Sequence, residues 1–114
     1  MQNVKSSKDT ASYYSERLKN TLHTIENQIQ LKDAEIETLT KQAVYLKEIK
    51  EGGAVMGEIA KDKFESGSST MTEMFSAYSS RDAYKRDYTI LLLNLLYAHA
   101  EKAFYCGAFG NTAY

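Results

Sequence analysis

Apolar residues recur along the first half of this chain in alternating steps of four and three: Leu18, Leu22, Ile25, Ile29, Lys32, Ile36, Leu39, Ala43 and Leu46. Every position in that series except Lys32 is apolar. A 3.5-residue repeat sustained over about four heptads predicts a coiled-coil helix, because it keeps one narrow stripe facing a neighbouring helix turn after turn. The sequence contains no proline, the residue that most effectively interrupts a helix. Ser6 followed by Asp9 resembles a capping box and places the helix start near Lys8. Gly52-Gly53 is expected to end it near Glu51, since glycine carries the largest backbone entropy cost and readily adopts the left-handed conformation that closes helices.

A short connecting helix is expected over about 54–64, on Val55, Met56, Ile59, Ala60 and Phe64. Glu65-Ser66-Gly67-Ser68-Ser69 breaks the chain, and Thr70 with Glu73 forms a capping box for a third helix over about 71–105. The stretch from Gly107 to Tyr114 is too rich in glycine to continue that helix and reads as a tail, with Phe109 and Tyr114 as possible anchors on a neighbour. The expected fold is therefore all-α. A single domain over 1–114 forms a long antiparallel, coiled-coil-like hairpin with a short connecting helix, assembled into an oligomeric bundle.

The oligomer follows from the third helix. Nine of the eleven residues from Ile90 to Ala100 are apolar, Asn94 and His99 being the exceptions. Three stripes can be drawn through the region: Tyr88, Leu92 and Leu95; Tyr84, Tyr88, Leu91, Leu95 and Ala98; and Leu93, Leu96 or Tyr97, Ala100 and Phe104. Together they encircle the helix, the pattern of a helix covered on all sides. A membrane span is excluded by length, because eleven residues rise about 16 Å against a hydrocarbon core of about 30 Å. With helix ends at 51 and 70, an antiparallel return brings residue 105 near residue 16, so the apolar block faces Tyr13 to Ile29. One seam there covers one stripe. The surplus, carried by Leu91, Leu92, Leu95, Leu96 and Phe104 with Asn94 and His99 among them, is assigned to an oligomer interface. Asn94 is read as a register-setting pair across that interface, and Lys32 as a seam residue whose stem packs while its ammonium reaches water.

Candidate chemistry is sparse. His99 and Cys106 lie about 10 Å apart on one helix face, too far to share a metal or pass a proton directly. His23 and Glu26 are spaced at i,i+3 but in the opposite order to the Glu-x-x-His pairs of di-iron bundles. No phosphate loop, Cys-x-x-Cys, His-Glu-x-x-His or Gly-x-Ser-x-Gly motif occurs. No catalytic residue, metal site or cofactor is assigned, and an enzyme is not expected. Fourteen basic residues against fifteen acidic ones leave a net charge of -1, which gives no general affinity for polyanions, so nucleic acid is not an expected partner. A lone cysteine and the lack of a signal-like start lead to the expectation of a cytoplasmic protein.

Nine tyrosines against four phenylalanines form the compositional feature with most bearing on function, since tyrosine is enriched at protein interfaces. Tyr78, Tyr84 and Tyr88 interleave with the only basic cluster, Arg81, Lys85 and Arg86. Tyr78, Arg81, Tyr84, Lys85 and Tyr88 are therefore candidates for binding a partner or ligand. The expected function is a non-catalytic protein–protein interaction module: a homo-oligomeric hairpin that inhibits, chaperones or adapts another protein. Two alternatives use the same residues: a nucleotide-like ligand held in a pocket between subunits, or a structural subunit of a larger assembly.

Overall fold

The chain is all-α. The computed structural model describes residues 2–113, with side chains over 8–110. Helix α1 spans Gln2–Glu65 and α2 spans Met71–Ala113, and the two pack antiparallel as a hairpin. The chain divides into two compact units, Ile36–Tyr97 and a second formed by the residues up to Glu35 with those from Ala98 onward.

In the unit 36–97, α1 ends where the sequence breaks. Gly67 takes the left-handed conformation, at φ +78°. Its N–H donates to the carbonyl of Phe64, and the Ser68 N–H donates to that of Lys63 at 2.7 Å, the double bond of a Schellman cap. Thr70 then starts α2, its Oγ1 accepting from the Glu73 N–H at 3.2 Å, as its capping sequence predicts. Between these caps only five residues, 66–70, turn the chain.

Gly52-Gly53 does not break α1, and no separate helix begins at 54. The reason lies in the seam. Continued by fours and threes beyond Leu46, the repeat reaches Lys50, Gly53, Gly57, Ala60 and Phe64, and all five are buried or half-buried. A Cβ placed on Gly53 would stand 2.6 Å from Cδ2 of Tyr84, and one on Gly57 would stand 3.3 Å from Cδ of Arg81 and 3.7 Å from Cδ1 of Tyr78. The glycines are thus inward positions whose missing side chains admit large ones from α2. Glycine costs a helix about 1 kcal/mol per interior site, and here the packing of α2 offsets it. Gly52, one position away, faces open space.

The partner seam on α2 is the second of the three stripes drawn from the sequence. Leu91 and Ala98 are 6% and 1% exposed, and Tyr88 and Leu95 are half-buried. Met74 closes the stripe near the turn, also buried.

In the second unit the same two helices are joined by charge. Lys32 Nζ lies 2.7 Å from Glu101 and 3.0 Å from Glu35, and Lys102 Nζ lies 2.6 Å from Asp33. This register corrects the sequence expectation of residue 105 beside residue 16. Because α1 runs on to Glu65, the turn comes fourteen residues later than the glycine pair implied, and α2 slides along α1 accordingly. Its end comes level with about Leu22, so the described side chains of α1 from Lys8 to Thr21 are exposed, Leu18 included. Two further expectations change here. Helix α1 already runs through 2–8, so Asp9 sits inside it instead of capping it, and the side chain of Ser6 lies outside the described residues. Helix α2 continues through Gly107 and Gly110 to Ala113, so no tail begins at 107. Phe109 contributes to this extension, lining a groove with Lys19, Asn20, Leu22, His23 and Glu26 of α1, while Tyr114 lies outside the described residues.

Candidate interaction surface

Part of the tyrosine and basic cluster is engaged within the hairpin, while Lys85 and Arg86 are exposed. In the unit 36–97, the Arg81 guanidinium sits 4.4 Å from the Tyr78 ring centroid and its Nε donates to Asp82 at 3.2 Å. Its methylenes rest on Gly57, Tyr84 rests on Gly53, and the Lys50 ammonium lies 5.0 Å from the Tyr88 ring centroid. Cation–π contacts of this kind favour cations close to a ring face; the Lys50–Tyr88 contact joins α1 to α2, whereas the Arg81–Tyr78 contact lies within α2. Of the five residues proposed for partner or ligand binding, Tyr78, Arg81, Tyr84 and Tyr88 make these contacts, and Lys85 is exposed. Beside them an open groove of about 340 Å³ is lined by Ile49, Gly52, Gly53, Met56, Ala77, Ser80 and Tyr84.

The residues assigned to an oligomer interface separate into two groups. Leu91 is buried and Leu95 half-buried in the hairpin seam. Leu92 and Leu96 are exposed in this unit, the latter at 65%, as is Asn94. In the second unit Phe104 and His99 are exposed, and so is Cys106. Ile90 at 48%, Leu93 at 50% and Tyr97 at 67%, not among the residues expected at the interface, are exposed on α2 as well. Leu93 lies nearly opposite the seam residues Leu91, Leu95 and Ala98, and Ile90 and Tyr97 lie about a third of a helical turn round from them, on the side of α2 turned away from α1. The signal was present in the third stripe, which shares the four-and-three spacing of the used seam.

Isolated exposed apolar residues are ordinary, but a run of them on consecutive turns marks an interaction site.

The ion pairs of the second unit were not legible from Lys32 alone. Lys102 occupies the equivalent seam position on α2, and each lysine is followed or preceded by an acid, Asp33 and Glu101, that reaches across to the other. The hydrogen bond to Glu101, and next that to Glu35, holds the Lys32 ammonium protonated above the usual lysine range. Asp33 acts in the same direction on Lys102. Side chains of this layer remain in contact with water, so it is a register device more than a source of stability.

Among the described residues, no group of three His, Cys, Asp or Glu side chains could hold a metal ion, and no helix is long and apolar enough to cross a membrane. Compared with known protein families, with curated proteins and with solved structures, the chain matches none.

Proposed function

We propose that the chain is a non-catalytic protein–protein interaction module, a helical hairpin that assembles with itself into a bundle and acts on another protein through helical faces, as an inhibitor, chaperone or adaptor. The observation that carries this reading is the exposure of Ile90, Leu93, Leu96 and Tyr97 on consecutive turns of α2, outside the seam that α1 covers. Each leaves about half or more of its surface in water. Covering the three aliphatic ones contributes roughly 1–2 kcal/mol apiece before ordering costs, and tyrosine adds its larger ring. The charge balance suits a protein partner better than a polyanion. A reduced, cytoplasmic setting suits the exposed thiol of Cys106.

Light scattering coupled to size exclusion, over a hundredfold concentration range, tests the reading with wild type and Leu93→Glu/Leu96→Glu. The wild type is expected to be oligomeric and the variant monomeric, with the same helical circular dichroism at equal concentration. A wild type that stays monomeric at tens of micromolar contradicts self-assembly.

A further inference from the structure

The exposed stripe has a period and a charge pattern, and together they specify what covers it. Arg86, Ile90, Leu93 and Tyr97 follow one another by four, three and four residues, the spacing of a second coiled-coil seam on the same helix. A surface with that period is covered by a helix running alongside it, not by a loop or a flat sheet. All four residues lie in the unit 36–97, where α1 is already committed to the opposite side of α2.

Resting on the self-assembly reading above, we propose that a second copy of this chain docks α2 against α2 in antiparallel orientation, with Ile90 opposite the partner's Leu93 and Arg86 opposite the partner's Tyr97. Charge decides the orientation. In a parallel pair, Arg86 meets its own copy in the seam and Asp82 flanks the partner's Asp87 on both sides, so that like charges meet at one end of a short interface. In the antiparallel register all four seam positions find a complement. Ile90 and Leu93 pack on each other twice about the two-fold axis, and each guanidinium lies over a tyrosine ring, the geometry in which arginine and aromatics attract. Asp87 then flanks the partner's Asn94, and Thr89 the partner's Leu96, so no like charges meet along the core. Arg86 is available for this: its present partner is the adjacent Asp87, at 3.8 Å, and its side chain is 70% exposed. The symmetry closes the assembly at two copies through this face, as an isologous contact must.

Cysteine trapping in the full chain distinguishes the arrangements, with Cys106→Ser as background. Arg86→Cys and Tyr97→Cys chains, mixed and mildly oxidised, are expected to give a disulfide-linked heterodimer at least fivefold faster than either chain links to itself. Residues 86 and 97 of one helix are about 16 Å apart along its axis, so self-linking requires the parallel arrangement. Faster self-linking of Arg86→Cys overturns the orientation. Because the cysteines remove the proposed cation–π pair, light scattering on Arg86→Glu in the otherwise native chain supplies a second reading: the dimer dissociation constant is expected to rise at least tenfold, with Arg86→Lys between. An unchanged constant overturns the Arg86–Tyr97 contact. A dimeric wild type that gives no 86–97 link contradicts this register and leaves self-assembly standing, whereas a monomeric wild type removes both.

Discussion

Gly53 and Lys32 occupy the same kind of position, the inward seam of α1, in the two units of the molecule, and they meet α2 by opposite means. At Gly53 the side chain is absent, and the Tyr84 ring lies where it would have been. At Lys32 the side chain is long and charged, and Glu101 and Glu35 neutralise it at the edge of the seam. The first device brings the helices together by shape. The second holds them in register while leaving polar groups wet. The comparison teaches that a heptad pattern states where a helix faces its neighbour but not how closely, and that closeness is set by the residue that breaks the pattern.

The largest effect is expected where shape packing is tightest. Leu91→Ala removes a buried seam residue and should lower stability by about 2–5 kcal/mol, whereas Leu93→Ala, measured dilute enough to keep the chain monomeric, should change it by no more than about 0.5 kcal/mol. Urea unfolding followed by circular dichroism reads both. Similar losses at the two sites would erase the distinction between the inner and outer stripes of α2.

Gly53→Val comes next. Overpacking against Tyr84 should cost about 1–3 kcal/mol, and Tyr84→Ala in the same chain should restore part of the loss. Gly52→Ala, facing open space on a helix, should instead stabilise by up to about 1 kcal/mol. Opposite signs at adjacent glycines are a result that no general glycine effect reproduces.

The polar layer has the smallest effect and a different dependence. Lys32 and Lys102 have folded pKa values raised above the ordinary lysine value of 10.5. Their contribution is therefore complete below about pH 10.5 and is lost as pH climbs beyond it. Amide exchange at Ile29 to Glu35 should accelerate with alkali beyond the intrinsic rate in wild type, and Lys32→Met/Lys102→Met should abolish that extra acceleration. Added salt should loosen the same segment and leave Gly53 to Gly57 unaffected.

Much of this architecture was legible in the residues. The seam from Leu22 to Leu46, the turn at 66–70, the Thr70 cap and the Tyr84 to Ala98 stripe each depend on local chemistry or on spacing, which sequence carries directly. What was not legible depended on context. A glycine pair looks alike whether it ends a helix or lies beneath a tyrosine, because the difference resides in a residue thirty positions away. Reading Gly52-Gly53 as an end shifted the expected register by fourteen residues and set the apolar block of α2 against the wrong part of α1. The outer stripe followed the same logic: its spacing was visible, but only the true seam showed which apolar residues were left uncovered.

The claim that everything else rests on is that α1 runs unbroken through Gly52 and Gly53 and that this sets the register of α2. Residue-resolved hydrogen exchange of the native chain tests it most directly. The amides of Gly52, Gly53 and Ala54 are expected to be protected to the same degree as those of Leu46 to Ile49, as one cooperative unit. Exchange at Gly52 to Ala54 close to unprotected rates, with protection on both sides, would mean a broken helix and would contradict the register drawn here.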